Sequence, residues 1–295
     1  MPLNINSLSI RSSMVSSRPL WMTLLFILLL SAIAPSHAFR GRASQQLEAS
    51  AEELEEDVKA EIAFGRQLAA LILGRHPLDQ RQQINRYLTM VGRYLTEHGG
   101  RSELTYRVAL VDSEEINAYA APGGYIFITR GALLQMEDEA ELAAVLAHEI
   151  AHINHKHIVK ELKIRGNTLD AGSMVGQLLG GFSDTARVAL QQTLDKAFGL
   201  LFGNGLKQQD ELEADQSGML LSTLAGYDPK ALERYLQKVS HHKEDQAAIL
   251  NQTHPSFSVR LEALQQQRQQ QRLDQIEGVT MRPRFTLIVS PNLSE

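Results

Sequence analysis

The segment His148 to His152 (HEIAH) is the feature that most constrains the fold of this chain. Residues four apart lie on the same face of an α-helix, so both histidines can bind one metal ion only if this segment is helical. Glu149 stands next to the first histidine, where it can take a proton from a metal-bound water molecule. The motif therefore predicts a helix that presents two zinc ligands and a general base.

The residues around the motif favour a helix that is partly buried. Asp138 followed by Glu141 is typical of a capped helix start. Four apolar residues at helical spacing then form one stripe, about 100° round the helix from the two histidines: Leu142, Leu146, Ile150 and Ile153. A solvated histidine face is the alternative. Ala147 and Ala151 disfavour it, because their small side chains leave room for a bulky group beside the imidazoles.

A catalytic zinc ion needs a third protein ligand. His155 and His157 are nearby candidates, but their spacing does not fit. The extended metzincin pattern would place glycine at position 155 and histidine at position 158, where this chain has His155 and Ile158. Glu211 and Asp215 fit better, because they share a helix face while Glu213 points away. Glu211 could then bind the metal and Asp215 could contact a ligand histidine. A plain acidic surface helix is the alternative.

Composition narrows the chemistry further. The 295 residues include no cysteine, which excludes a disulfide framework, a thiol nucleophile, an iron–sulfur cluster and a zinc finger with cysteine ligands. The net charge of −5 argues against a dedicated nucleic-acid-binding protein, which normally carries a basic excess. Any bound metal must therefore be held by histidine and carboxylate side chains.

The N-terminal segment has the pattern of a secretory signal peptide. Residues 1–38 contain Arg11 and Arg18 and no acidic residue, and the run from Leu20 to Ala34 is apolar. Small residues follow, so the pattern predicts export to the periplasm and cleavage after Ala38. A retained anchor in the inner membrane is the alternative, although the apolar run is short for a spanning helix.

Periodicity in the rest of the chain predicts many helices around a small β-region. The predicted helices cover 45–74, 78–98, 138–160, 207–225 and 229–240, and the predicted strands cover 104–111, 116–121 and 125–129. Pro122-Gly123-Gly124 predicts a tight hairpin turn. The run from Phe285 to Val289 (FTLIV) predicts a terminal strand, and the glutamine-rich run from Gln265 to Arg272 predicts a solvated helix face.

The region 166–206 is unusual because it is apolar, punctuated by glycine and poor in charge. Three interpretations are open. It could be a mobile lid, a helical hairpin in contact with a membrane, or ordinary core, since glycine-rich apolar helices also pack tightly.

Five segments, in order and at plausible spacings, resemble those of one zinc metallopeptidase family. They are HEIAH, Asn117 to Leu134, ELEAD at Glu211 to Asp215, Ala225 to Leu232 and Thr253 to Pro255. The family includes HtpX and the CAAX prenyl protease. The resemblance covers roughly residues 55–265 and is greatest to the soluble periplasmic branch that contains BepA and LoiP.

The resemblance implies a site with one zinc ion per subunit. By resemblance, His148, His152 and Glu211 are the zinc ligands, Glu149 is the catalytic base and Asp215 is the acid that supports a ligand. It also implies the fold class: α+β, mainly α-helical, a zincin-like domain of the gluzincin type with a small β-hairpin beside the active-site helix. This domain would cover 39–280, between the signal peptide over 1–38 and a C-terminal strand or tail over 281–295.

Two further groups of candidate residues have open roles. His254 and Arg260 lie in a segment that resembles the last family motif, where they could support the oxyanion. His254 could instead contact the zinc and block its open position. The alternatives are that His254 caps a turn before Pro255 and that Arg260 forms a surface ion pair.

The strand before the hairpin turn could bind substrate. An exposed strand can pair with an extended peptide, and the residues concerned are Asn117, Ala118, Tyr119 and Ala120. The alternative is that the hairpin is only a structural turn.

The sequence predicts an exported zinc metalloendopeptidase that hydrolyses peptide bonds of misfolded or misassembled envelope proteins. Its partners would be unfolded polypeptides and not nucleic acid, with peripheral membrane contact through 166–206 left open. A zinc-stabilised chaperone or assembly factor with a normally occluded site is the competing hypothesis. BepA-like members also carry C-terminal helical repeats, and LoiP-like members carry a lipid-modified cysteine. Neither pattern occurs here, so partner recruitment and anchoring are not carried over.

Overall fold

The computed structural model describes residues 36–166, 184–241 and 252–293. The chain divides into two units, Met1–Glu52 and Glu53–Glu295, and the residues of the candidate site all belong to the second. The described part of the first unit is helical. The predicted signal peptide lies outside the described residues except for its last three, which begin this helix.

Helices dominate the described residues. The elements in chain order are α1 Ser36–Arg75, α2 Gln82–Gly99, β1 Arg107–Val111, β2 Ala118–Ala121, β3 Tyr125–Thr129, α3 Arg130–Leu134, α4 Glu139–Asn154, α5 His157–Leu162, α6 Asp184–Gly199, a π-helical turn Leu200–Asn204, α7 Gln208–Leu224, α8 Ala231–Ser240, α9 Phe257–Gln270, a 3₁₀ turn Leu273–Gln275 and α10 Arg282–Leu293. A mainly α-helical α+β fold with a small sheet is therefore confirmed.

The three strands form one sheet in the order β1–β3–β2. β1 runs parallel to β3, and β2 runs antiparallel to β3. Gly123 and Gly124 make the turn between β2 and β3 with φ of 74° and 96°, a left-handed region that favours glycine. The predicted hairpin is confirmed, and among the described strands β2 lies at the edge of the sheet.

The sheet separates two apolar layers because successive side chains of a strand point to opposite faces. Ile126 and Ile128 of β3 pack with α2 and α4 on one face. Phe127 and Tyr119 pack on the other face with one stripe of α1. That stripe has members four residues apart, all fully buried: Phe64, Leu68 and Ile72.

Helix α4 carries the HEIAH motif through the middle of the molecule. The residues Glu139 to Ile153 are all buried, as expected for a helix that passes through a core. Asp138 caps its start by accepting a hydrogen bond of 3.0 Å from the backbone N–H of Glu141. The predicted cap is confirmed, and the burial rules out a solvated histidine face.

The predicted helix over 138–160 is wrong in one respect, because the structure divides it into α4 and α5. Lys156 adopts the left-handed conformation, with φ of 58°, between the two helices. Such a residue ends an α-helix. The usual residue there is glycine or asparagine, so a lysine does not predict the break from sequence.

The predicted terminal strand over Phe285 to Val289 is wrong, since these residues belong to helix α10. Phe285 and Val289 are four apart and both buried, whereas Leu287 between them is 76% exposed. Short apolar runs fit either a helix or a strand locally, and here packing against the core decides for the helix. The segment 282–293 therefore packs as part of the second unit rather than as a separate strand or tail.

The glutamine-rich run is not a fully solvated face. Gln267 and Arg268 of α9 are buried, and Arg268 donates a hydrogen bond of 2.7 Å to Glu233 of α8. Gln267 donates a hydrogen bond of 3.1 Å to the backbone carbonyl of Gln216 of α7, so the two residues tie α9 to two neighbouring helices.

The region 166–206 is described only in part, and residues 167–183 lie outside the described residues. Its second half forms α6 and the π-helical turn. There Leu194 and Ala197 are buried in the core layer that contains Tyr119. Among the described residues, no helix has both the length and the apolar character that crossing a membrane requires.

Candidate metal centre

Helix α4 brings the two histidines of the motif together. His148 Nε2 and His152 Nε2 lie 3.0 Å apart, and both side chains are buried. Both nitrogens therefore point to the same position in space, as the spacing of four residues predicts.

Helix α7 supplies a carboxylate to the same position. Oε1 of Glu211 lies 3.5 Å from His152 Nε2, and its Oε2 lies 3.7 Å from His148 Nε2. In a tetrahedral zinc site with bonds of about 2.0–2.1 Å, two donor atoms are separated by about 3.3 Å. The three side chains therefore fit a zinc ion that keeps one coordination position open.

Electrostatics at the centre suits a divalent cation. Burial lowers the pKa of His152 well below its ordinary value, so this ring is neutral and its nitrogen can bind a metal. Burial opposes ionisation of Glu211, but its contact with His254 helps to hold the pKa of this carboxyl well below its ordinary value. The centre thus combines neutral imidazole with an ionised carboxylate.

Glu149 stands beside the ligands as a buried carboxyl group, only 5% exposed. Burial, the largest cause, raises its pKa to about 8; Glu211 also raises it, and His254 lowers it. A carboxyl group raised in this way has the proton affinity that a general base needs near neutral pH.

Asp215 and Arg260 form a buried ion pair behind His148. Asp215 Oδ1 lies 2.9 Å from His148 Nδ1, the ring nitrogen that faces away from the metal position. Arg260 donates to both oxygens of Asp215, through Nε at 2.8 Å and Nη2 at 2.6 Å. Burial opposes ionisation of Asp215, but Arg260 outweighs it and keeps the pKa of the carboxyl low. Asp215 thus lies behind a candidate ligand histidine, and Arg260 pairs with a buried acid rather than a surface one.

A second pair of residues stands behind His152. Its Nδ1 lies 2.8 Å from Nδ1 of His157, and Nε2 of His157 lies 3.1 Å from Oε2 of Glu213. The sequence pattern disfavours His157 as a ligand and predicts that Glu213 points away from the metal. In the structure His157 contacts the ring of a candidate ligand, and Glu213 contacts His157. The pattern His155-Lys156-His157 was the available signal.

His254 contacts the centre directly. Its Nδ1 lies within hydrogen-bond distance of Glu211 Oε2, and its ring centroid is 5.9 Å from that of His148. The ligand atoms of His148, Glu211 and His254 all lie within 4.8 Å of one another. His254 therefore occupies the open side of the site, where either of its predicted roles would place it.

The edge strand lies beside the metal position. A small cavity of about 30 Å³ is lined by Ala118 and Ala120 of β2, by Glu149 and Glu211, and by the π-helical turn. Tyr119, whose side chain points to the other face of the sheet, stacks near Phe202 with ring centroids 4.4 Å apart. The cavity thus joins the strand, the candidate base and the candidate ligands in one cleft.

Asn117 and Gly218 are the positions that shape this cleft. Asn117 Oδ1 accepts a hydrogen bond of 2.9 Å from the N–H of Ala118 and fixes the start of the strand. A Cβ added at Gly218 of α7 would lie 2.7 Å from the backbone N of His148 and 2.8 Å from its Cα. Only glycine therefore lets α7 approach α4 closely enough for Glu211 to reach the histidines.

We expect Gly218→Ala to weaken metal binding and to lower the free energy of unfolding by about 1–3 kcal/mol, because the new methyl group forces two backbones apart. Urea denaturation and metal content measure both effects. Gly74→Ala is the matched control, since a Cβ there meets nothing within 4 Å. Equal behaviour of the two variants would contradict the close-approach argument.

The chain matches one family model and is similar to several known proteins. A family model described as peptidase family M48 matches residues 82–268. The chain is similar to the beta-barrel assembly-enhancing protease of Escherichia coli (strain K12), with 27% identity over 184 residues, which is 61% of this chain and 37% of that protein. Mitochondrial metalloendopeptidase OMA1 of Schizosaccharomyces pombe is 28% identical over 182 residues, or 61% of this chain and 52% of that protein. The mitochondrial metalloendopeptidase OMA1 of Bos taurus is 29% identical over 171 residues, or 56% and 33%.

The matched region spans about a third to a half of each of these relatives. Residues 82–268, which the family model matches, contain the HEIAH helix, the hairpin, helix α7 and the segment of His254 and Arg260. The family model covers more than half of the chain. The resemblance predicted from the motifs and the predicted enzyme class are therefore confirmed, and the chain belongs to peptidase family M48.

Proposed function

We propose that this chain is an exported, zinc-dependent metalloendopeptidase that hydrolyses peptide bonds of misfolded or misassembled envelope proteins. The observation that carries the proposal is the set of donor separations of 3.0, 3.5 and 3.7 Å among His148, His152 and Glu211, with Glu149 beside them. The names of the relatives support the reaction class. They describe proteases, one of which enhances β-barrel assembly.

The chain's own residues divide the work of hydrolysis. A zinc ion held by His148, His152 and Glu211 would supply Lewis acidity to a water molecule and to the scissile carbonyl. Glu149 accepts the proton of the attacking water and returns it to the departing amine. Asp215 and Arg260 keep the ring of His148 in the orientation that binds the metal. His254 stands where a donor to the developing oxyanion is needed.

Strand β2 is proposed to hold the substrate by main-chain hydrogen bonds. Thr129 N–H donates to Asn117 C=O at 3.1 Å, so these residues form a hydrogen-bonded pair. Because such pairs alternate along an antiparallel ladder, Tyr119 is the next residue bonded to β3. The C=O of Ala118 and both the N–H and C=O of Ala120 therefore point away from β3, toward a chain added at the edge, while the N–H of Ala118 donates to Asn117 Oδ1.

We expect Ala120→Pro to lower kcat/KM for an unfolded protein substrate by about two- to tenfold, since one lost hydrogen bond is worth about 0.5–1.5 kcal/mol. An edge strand tolerates proline where the N–H does not bond the sheet. Metal content and melting temperature serve as controls and should stay at the wild-type values. An unchanged kcat/KM with those controls intact would contradict substrate pairing at this edge.

Export is part of the proposal because of residues 1–38, with cleavage after Ala38 and a periplasmic mature protein. An uncleaved anchor in the inner membrane is the alternative. The mass of the protein from the native envelope distinguishes the two, since cleavage removes the first 38 residues and anchoring keeps them.

A chaperone or assembly factor with a zinc-stabilised, occluded site remains the second candidate. The contact of His254 with Glu211 favours it, because a histidine at the open position would exclude water and substrate. A complementation assay separates the two functions. If Glu149→Gln fully rescues a deletion strain, binding is the main role; if it fails while wild type succeeds, cleavage is.

Capture of substrates by Glu149→Gln in the native envelope tests the substrate class. This variant should retain unfolded envelope polypeptides that wild type cleaves, and proteomics of the captured proteins identifies them. Capture of the same proteins by wild type and variant in equal amounts would contradict the proposal.

A further inference from the structure

A second cluster of metal-binding side chains lies outside the candidate centre. It consists of His155, His157 and Glu213, whose ligand atoms lie within 4.8 Å of one another. Glu213 Oε1 is 3.5 Å from His155 Nδ1, and its Oε2 is 3.1 Å from His157 Nε2. The hydrolytic reaction proposed above uses none of these atoms directly.

The break between α4 and α5 creates this cluster. Lys156 adopts a left-handed conformation, and the rings of His155 and His157 on either side of it stack 5.4 Å apart at an angle of 11°. Both rings therefore face Glu213 of α7. In an unbroken helix, residues two apart lie on different faces.

His155 holds its second ring nitrogen, Nε2, in a hydrogen bond of the kind that metal-binding histidines make. His155 Nε2 lies 2.7 Å from the hydroxyl oxygen of Ser217 and can donate to it, which leaves the lone pair of Nδ1 directed at Glu213. Metal-binding histidines usually hold their second nitrogen in such a hydrogen bond. The side chains of His155 and Glu213 are 31% and 48% exposed, so an ion can reach the cluster from solvent.

We propose that His155, His157 and Glu213 form a second divalent-cation site that opposes occupation of the catalytic one. Two imidazoles and one carboxylate suit a zinc-like ion rather than calcium or magnesium, which prefer oxygen ligands. With water as a further ligand, the site is complete without any other side chain.

The opposition between the sites follows from the shared hydrogen bond of 2.8 Å between His152 Nδ1 and His157 Nδ1. When His152 binds the catalytic ion through Nε2, its proton is on Nδ1, so His157 Nδ1 must accept and His157 Nε2 carries a proton. A cation at the second site needs the lone pair of His157 Nε2 and moves that proton to Nδ1. Two N–H groups would then face each other, so each ion weakens the binding of the other.

Coupling between two binding sites is reciprocal and typically amounts to about 5–150-fold in affinity. Emptying the catalytic site should therefore strengthen cation binding at the second site by that factor. The existence of the second site does not depend on the proposed function, whereas the catalytic role of the site coupled to it rests on that function.

Equilibrium dialysis of the zinc-loaded full-length chain against rising zinc chloride tests the proposal, with hydrolysis of an unfolded protein measured in parallel. Wild type should bind a second ion. Glu211→Ala, which loses the catalytic ion, should bind an ion at the second site about 5–150-fold more tightly than zinc-loaded wild type does. His155→Ala should bind the second ion at least about tenfold more weakly, while its hydrolytic activity is unchanged. His98→Ala, an exposed histidine on α2, should behave as wild type.

Dialysis keeps the outcomes separable. If wild type binds no second ion, or if His155→Ala binds it as wild type does, the second site is overturned. If Glu211→Ala binds an ion at the second site no more tightly than zinc-loaded wild type does, the coupling is overturned. If no hydrolysis occurs at any zinc concentration, the proposed function fails, while the binding curves still decide whether the site exists.

Discussion

Glu149→Gln is expected to reduce peptide-bond hydrolysis by about 10²- to 10⁴-fold, the contribution of a positioned general base. Glutamine keeps the size of the side chain but cannot accept the proton of the attacking water. Because the three candidate ligands are untouched, the metal content should stay as in wild type. Cleavage of an unfolded protein such as casein, followed by electrophoresis, measures the effect.

The matched control for this variant is Glu97→Gln, which removes a carboxylate that is 57% exposed on α2. It should cleave at the wild-type rate. Normal cleavage by Glu149→Gln would remove Glu149 from the mechanism, and with it the assignment of the HEIAH helix as the catalytic element.

Asp215→Asn should have the largest effect on stability. Asp215 and Arg260 are 0% and 3% exposed, so the variant leaves a buried guanidinium without its counter-charge. Breaking a buried ion pair in this way costs about 3–5 kcal/mol of unfolding free energy. His148 also loses the carboxylate behind it, which typically costs about 10- to 100-fold in metal affinity. Urea denaturation and a zinc competition assay measure the two effects.

A double variant separates these two roles. Asp215→Leu with Arg260→Met replaces the whole pair by apolar groups, a change that is often neutral for stability. It should recover most of the unfolding free energy while metal affinity stays low. Recovery of both would show that Asp215 does not orient His148, and Asp195→Asn, an exposed acid on α6, should change neither quantity.

The parts of the site that lie within one helix were predictable from sequence. His148 and His152 can meet at one metal ion because their spacing puts them on one helix face. The same spacing puts Glu211, the candidate ligand, and Asp215, the supporting acid, on one face of a second helix. Helical periodicity is local, so it can be recognised without the fold. The approach of α7 to α4 is not local. It depends on Gly218, whose role becomes visible only when the backbone of His148 lies beside it.

The errors have the same origin. Phe285 to Val289 fit a strand by composition, but the core accepts one face of a helix there. His157 was set aside because it does not match a known ligand spacing, yet the turn at Lys156 returns it to the ring of His152. In both cases contacts distant in sequence decide the outcome, and local propensity carries no information about them.

The central claim is that His148, His152 and Glu211 hold one catalytic zinc ion. Elemental analysis of the purified chain after exhaustive dialysis, compared with Glu211→Ala, tests it most directly. The account predicts about one zinc ion per wild-type chain and loss of most of it in the variant, with the fold retained by circular dichroism. A wild-type chain without zinc, or a Glu211→Ala chain that keeps the full amount, would contradict it.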